Sequence, residues 1–411
     1  MRQVEIDIIA NEQKDSLLVI KYYTFFIKNS MEKQKEPLIM KTVIVYLLEI
    51  TGGKKKMGKR AVRILCVMLL LFGVAGGLFL LRDEVKSGQE TAGSEMSEQN
   101  LITVGFSQVG AESDWRTANS ISIKQTFSLN KGYNLIFEDA RQVQTNQIRA
   151  IRSFIQQDVD YIIFSPVVED GWNTVLEEAK LAEIPVLIID RQVSVKNEDL
   201  YTAWVGSDFY LQGQKACEVL AQYAKKSGME EVNIVDIQGT IGSTAQIGRS
   251  EALEKAAKTY GWNLLAQKSG EYTEARAYEV MAEMLREFDS INVVYCENDN
   301  EAFGAIEAIE DAGRTVGADG DILVISFDAT RVGLENTLAG KIFLDVECNP
   351  LQGPEAENII RQLMSGQQVE KKHYLEEQLF TSADGIAPVE IDGVTYPVEK
   401  ITEELLRERD Y

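Results

Sequence analysis

The 411 residues, 45% of them hydrophobic, suffice for two or three domains with real cores, and the chain carries 64 acidic against 42 basic side chains. The imbalance is uneven: residues 1–81 hold 13 Lys and Arg against 7 Asp and Glu, which leaves 29 against 57 in the rest, a net of −28. So acidic a body argues against nucleic acid, whose phosphates must be met by a basic surface, and equally against an anionic membrane surface.

In chain order, residues 1–56 show apolar patches without a clean period or turn chemistry. They are expected to be a non-native or disordered extension ahead of a start at Met57. Residues 57–82 are expected to be a signal anchor or signal peptide. The run 61–81 is apolar apart from Arg63, and at helical rise it spans roughly 31 Å, close to the ~30 Å hydrocarbon core of a bilayer. Lys54, Lys55, Lys56, Lys59 and Arg60 precede the run, which puts the long C-terminal part outside the cytoplasm. An anchor is preferred to a cleaved signal, whose apolar region is shorter. Residues 83–100, rich in Gly, Ser, Glu and Gln, are expected to form a flexible stalk.

From Leu101 short apolar runs alternate with helical periods, the pattern of βαβ units and a parallel sheet. Strands are expected at 101–106, 133–137, 161–164, 186–189 and 202–205, with helices marked by Ile148, Ile151, Phe154 and Ile155 and over 173–182. The pattern then restarts with a helix over 208–226 and strands at 232–237, 263–266, 293–296, 323–327 and 342–346. Two such runs imply an α/β protein of two similar doubly wound lobes joined by a multi-strand hinge. The expected division is 101–206 with 349–375 as the N-terminal lobe, 207–348 with 376–392 as the C-terminal lobe, and 393–411 as a tail that latches them, with a hairpin at Asp392-Gly393.

Open parallel sheets bind ligands at the carboxyl ends of their strands, so the loops there carry the argument. They hold Trp115 and Arg116, Asp139, Ser165, Asp190 and Arg191, then Arg249, Tyr272, Asn298 and Asp299, Asp328, and Glu347 to Asn349. An aromatic face beside a guanidinium suits a polyhydroxylated ring, and Asp, Asn and Arg supply the matching acceptors and donors. Any one Asp or Asn after a strand can equally be a helix cap or a turn residue. Asp190 and Arg191, side by side at the end of PVLIIDR, fit that plainer role least well.

The stretches VGFSQVGAESDWR, NQIRAIRSFIQQDVDYIIFSPVVEDGW, AEIPVLIIDRQV, QGTIGSTAQIGR and YCENDNEAFGAIEAI resemble the periplasmic sugar-binding proteins of the ribose- and galactose-binding type, within them the galactofuranose binders of bacterial ABC importers. The likeness covers most of residues 101–350. It implies the type I periplasmic binding protein fold, a monomer that closes on a monosaccharide, and an importer permease as partner, with a membrane sensor kinase as the alternative. Trp115 and Arg116 would contact the sugar from the first lobe and Asp190 and Arg191 would bracket it. Arg249, Asn298 and Asp328 would reach it from the second lobe, with Tyr272 as an aromatic wall and Asp299 in the same loop as Asn298. Near the last crossing between lobes, Glu347, Cys348 and Asn349 stand where ribose binders carry Gln. Which of the three faces the ligand stays open.

No cofactor, metal or catalytic residue is expected. The chain lacks HExxH, GxSxG, GxxxxGK[ST] and a DxDxDG calcium loop, and its single histidine, His373 in a KKH segment, reads as an exposed surface residue. Asp190 and Asp328 could nominally be a glycosidase pair, but carboxylates paired with Arg are expected to have lowered pKa values and to make poor acids. The four cysteines show no CxxC spacing, although a disulfide between two of Cys217, Cys296 and Cys348 would be compatible with an extracytoplasmic location. A sugar-responsive repressor would need a basic helix-turn-helix upstream, where an apolar segment and an acidic stalk stand instead.

Overall fold

The chain enters its first sheet on β1 (Ile102–Gln108), and the computed structural model describes residues 101–411, so the expected extension 1–56, apolar segment 57–82 and stalk 83–100 lie outside the described residues. Among the described residues no helix is long and apolar enough to cross a membrane. After β1 come α1 (Asp114–Thr126), β2 (Tyr133–Asp139), α2 (Gln144–Gln156), β3 (Tyr161–Phe164), α3 (Asn173–Leu181), β4 (Val186–Ile189) and β5 (Ala203–Gly206). Strands such as YIIF and VLII are covered on both faces, which is why they read as unbroken apolar runs. On α2 the residues Gln147, Ala150, Ile151 and Phe154 turn inward at helical spacing. Phe154 lies on β1 where Gly105 leaves room, a Cβ there standing 2.5 Å from the ring; burying the ring contributes ~2–3 kcal/mol.

The second half repeats the plan. It runs α4 (Phe209–Ser227), β6 (Asn233–Gln238), α5 (Thr244–Tyr260), β7 (Asn263–Ser269), α6 (Glu274–Glu287), β8 (Val293–Cys296), α7 (Asp299–Asp311), β9 (Leu323–Asp328), α8 (Arg331–Leu338) and β10 (Leu344–Glu347). Asp208 caps α4 by accepting from the Leu211 amide, and Gly228 and Gly261 end α4 and α5 in the left-handed conformation. Then follow α9 (Gly353–Met364), β11 (Lys372–Tyr374), β12 (Leu379–Thr381), β13 (Val389–Ile391), β14 (Val394–Tyr396), β15 (Glu399–Lys400) and α10 (Glu403–Glu408).

One six-stranded parallel sheet runs β11-β5-β4-β3-β1-β2 and a seven-stranded sheet runs β15-β12-β10-β9-β8-β6-β7, with β12 antiparallel to β10. Each sheet has an apolar core on both faces. The chain passes between the lobes three times, from β5 into α4, from β10 into α9 and from β11 into β12.

Two expectations are corrected and one open question, the state of the cysteines, is answered. The stretch 393–411 is not a separate tail: β15 pairs with β12, Ile401 is buried against Phe380 and Leu334, and only the last residues reach back towards the hinge. His373 is half-buried on β11, its Nδ1 2.8 Å from Glu355 Oε1, because pairing with β5 draws it under α9. Cys217, Cys296 and Cys348 are each buried and free, so no disulfide joins them. Strands β1, β2 and β7 also run two or three residues past their apolar patterns. In β1 the polar extension is buried and bonded, Gln108 Nε2 donating to Asn119 Oδ1 at 2.9 Å. The hairpin at Asp392-Gly393 forms, with both residues at positive φ.

Candidate functional site

The carboxyl ends of the two sheets face each other across a cleft. On the first lobe Ser113 caps α1 by accepting from the Arg116 amide at 3.2 Å, and this fixes the first turn so that Trp115 and Arg116 point into the cleft. Asp190 ends β4 at φ 63°, a left-handed turn held by Trp204 Nε1 donating to its carbonyl at 3.0 Å. Arg116 then bridges two carboxylates, Glu112 at 3.0 Å and Asp190 at 2.7 Å, while Ser165 Oγ donates to Asp190 at 2.9 Å. Arg191 is anchored by donating from Nη1 to the Val167 carbonyl at 2.9 Å, and it lies 3.7 Å from Glu112 and 4.0 Å from Asp190. Two guanidiniums and two carboxylates thus form a buried, charge-balanced cluster. Glu112 Oε2 alone is buried there with no hydrogen-bond partner among the described residues.

On the second lobe Arg249, fully buried on α5, donates to the Glu297 carbonyl and to Gln212 Oε1 at 2.8 Å, and stands 3.9 Å from Asp328. Burial holds the Asp328 carboxyl well above its ordinary range although Arg249 pulls it down, which corrects the expected lowering at Asp328. Asn298 caps α7 by accepting from the Glu301 amide at 2.8 Å and still lines the cleft. Tyr272, itself at φ 60°, packs its ring flat over Gly239.

Trp115, Phe209, Ala245, Tyr272 and Cys348 make one buried apolar cluster drawn from both lobes. Trp115 Nε1 donates to the Cys348 carbonyl at 2.5 Å, and Arg191 lies 5.3 Å from the centre of the Tyr272 ring. The lobes also touch along the rim, where the Asp114 amide donates to Asn300 Oδ1 at 3.0 Å, the Glu169 amide to the Gly242 carbonyl at 3.0 Å and the Gln192 amide to Thr244 Oγ1 at 2.9 Å. The cavity left between them is about 30 Å³, room for one or two water molecules.

Of the expected site residues, Trp115, Arg116, Asp190, Arg191, Arg249, Tyr272, Asn298 and Asp328 line this cavity. Three others do not. Asp299 turns into the second lobe, where its carboxylate accepts from Ser326 Oγ at 2.6 Å and from the Thr330 amide at 2.8 Å. Glu347 faces the hinge side and accepts from Arg409, Tyr411 and the Gln378 amide. Asn349 closes a turn by accepting from the Leu351 amide at 2.9 Å. Extended residues alternate sides, so Glu347 and Asn349 point away and Cys348 is the one on the cleft wall. Glu112 and Phe209 were not anticipated. Each stands in a loop or helix start directly after a strand, and that position was the available signal.

Behind the second-lobe wall Asp236 and Glu297 share Ser250 Oγ, 2.7 Å from Glu297 Oε1, and Asp236 Oδ1 has no partner among the described residues. Burial pushes Asp236 up to about 7. The native state therefore keeps a proton that the unfolded chain releases, and stability present at low pH is lost as pH rises from about 4 through about 7. The melting temperature is expected to fall across that interval and Asp236→Asn to flatten the fall; a wild-type melting temperature that climbs instead would contradict this.

Residues 104–368 match the family described as periplasmic binding protein domain. The chain is 35% identical to the galactofuranose-binding protein YtfQ of Escherichia coli (strain K12) over 301 residues, 72% of this chain and 93% of that protein. A Mycobacterium smegmatis structure in complex with beta-D-fucofuranose aligns at TM-score 0.65 and 40% identity, covering 68% of this chain and 91% of the other. The periplasmic binding component of the arabinose ABC transporter from Shewanella sp. ANA-3, bound to alpha and beta-L-arabinofuranose, aligns at TM-score 0.64 and 37% identity with the same two coverages. By fold, cleft and sequence the chain belongs to the periplasmic binding protein family.

Proposed function

We propose that the protein is the extracytoplasmic receptor of an ABC sugar importer, a monomer that captures a furanose-form aldose between its two lobes and presents it to the permease. The observation that carries this reading is the composition of the cleft. An aromatic wall from both lobes faces the Arg116–Asp190–Arg191–Glu112 cluster, in which Glu112 Oε2 still lacks a donor. A sugar hydroxyl is such a donor, and C–H faces of the ring suit Trp115 and Tyr272. The furanose preference rests on the likeness to proteins whose names or bound ligands are furanoses. Delivery to an importer is favoured over a sensor kinase by the likeness to the arabinose transporter component.

A cavity of about 30 Å³ cannot admit a monosaccharide, so entry requires the lobes to part about the three crossings and shut again on the sugar. Cys348, on one of those crossings, carries the carbonyl that holds Trp115, which ties the aromatic wall to the hinge. A buried site leaves a wrong ring form with unpaired groups at ~1–3 kcal/mol each, enough for furanose and pyranose to be told apart.

The test is calorimetry with sugars locked in ring form. Methyl β-D-galactofuranoside is expected to bind and methyl β-D-galactopyranoside to bind at least ~100-fold more weakly, two unpaired groups' worth. Equal affinities would remove the furanose assignment, and no binding of any aldose would remove the receptor reading. Gly239→Ala provides a further check. A Cβ at Gly239 would stand 1.8 Å from Tyr272 Cζ, so the ring must leave its place. Furanoside affinity is expected to drop roughly tenfold or more, the worth of one displaced aromatic contact; an unchanged titration would show that Tyr272 does not touch the sugar.

A further inference from the structure

On the other side of the crossings from the cleft is a second and larger cavity of about 790 Å³, within the size range of small-molecule sites. Glu347 lines it whereas its neighbour Cys348 lines the cleft, so the crossings separate the two spaces. Its walls come from both lobes: Tyr374 and Leu375 at the end of β11, Leu211 and Lys215 one turn apart on α4, and Tyr396 on β14.

Lys215 is the donor in this wall that is free to meet a ligand. It is only 5% exposed, its ammonium stands 4.3 Å from the centre of the Tyr396 ring, and it has no hydrogen-bond or ion-pair partner among the described residues. Burial lowers its pKa, while Glu377, Asp208 and Glu347 act on it from a distance in the opposite sense. Its charge is thus balanced by carboxylates that do not touch it, and what it lacks is an acceptor atom. Its tip reaches the cavity, where a ligand oxygen can serve as that acceptor.

We propose that this hinge-side cavity is a second ligand site, which takes a small neutral polyhydroxylated molecule that accepts from Lys215 Nζ and lies against Tyr374 and Tyr396. An anion would meet Asp208, Glu376 and Glu377 in the same walls, and a cation would meet Lys215. A hydroxyl satisfies both kinds of group because it accepts from the ammonium and donates to a carboxylate. The two tyrosines offer faces for its C–H edges.

Occupancy of this site acts on the hinge. Glu377, in its wall, accepts from Ser207 Oγ, from the Asn349 amide at 3.1 Å and from Gln212 Nε2 at 2.8 Å, so one carboxylate joins all three crossings to α4. A molecule seated between the lobes there favours whichever hinge angle preserves its contacts, and by linkage the cleft ligand changes its affinity in return. The site itself stands independently of what the cleft binds.

The test is saturation-transfer NMR with D-sorbitol on the full chain, its Lys215→Met, Tyr374→Ala and Arg191→Ala variants. Wild type and Arg191→Ala are expected to saturate sorbitol alike, and Lys215→Met to weaken it about tenfold or more, the worth of one charged hydrogen bond. Tyr374 is 54% exposed, so Tyr374→Ala keeps the proposal testable even if Lys215→Met does not fold, and it is expected to lower the signal severalfold. The proposal is overturned by absence of a signal on wild type or by signals unchanged in both hinge-side variants. It is also overturned by loss in Arg191→Ala with retention in Lys215→Met, which would locate sorbitol in the cleft.

Discussion

Arg191→Ala is expected to weaken methyl furanoside binding by at least ~30-fold, more than ~2 kcal/mol. The guanidinium is buried, fastened to the Val167 carbonyl at 2.9 Å, and stands between Glu112, Asp190 and the Tyr272 ring. Its removal takes away donors aimed into the cavity and leaves Glu112 and Asp190 with Arg116 as their one remaining cation, so the pocket becomes acidic as well as larger. Arg191→Lys is expected to recover little, because an ammonium cannot hold the carbonyl and face the cavity as a planar fork does. Calorimetry that finds Arg191→Ala equal to wild type would take this residue out of the site.

Arg249→Met is expected to be the more damaging to the fold, at about 3–5 kcal/mol, the usual cost of removing one partner from a buried charged group. Arg249 is packed against Phe327 at 4.6 Å and Phe209 at 5.4 Å, so methionine fills part of its volume. What it cannot replace are the bonds to Gln212 Oε1 and the Glu297 carbonyl, or the cation that faces Asp328. The melting temperature is expected to drop by on the order of 10 °C. Arg249→Met/Asp328→Asn is expected to recover part of the loss, since an amide at 328 needs neither a counter-charge nor a proton taken up on folding. Denaturation curves that superimpose on wild type would show that Arg249 carries no structural share.

The two βα runs were legible because strands such as YIIF and VLII are covered on both faces, and α2 turns one stripe inward. The edges were not. KHY and EK are too short and too polar to carry a period, so the strands that complete each sheet, and the half-burial of His373 on one of them, are visible only in the pairing. At the site, side chains whose only use is the cleft were legible by type and position, as with Arg116, Asp190 and Arg191. Asp299 looks the same in sequence, yet its carboxylate serves the Thr330 turn and Ser326 inside its own lobe. Phe209 was passed over because an apolar residue opening a helix is ordinarily core, and here that core is also the cleft wall. The alternation that puts Cys348 inward and its neighbours outward depends on the path of a crossing that no local pattern reveals.

The first sheet takes an edge strand from residues 372–374 and pairs it with β5 at 204–206, with five strands of the second lobe, β6 to β10, threaded between them in sequence. Vectorial synthesis therefore cannot finish the first sheet before most of the second lobe has emerged, and that sheet is closed by a contact of high sequence separation. Such a polypeptide settles late and as a unit.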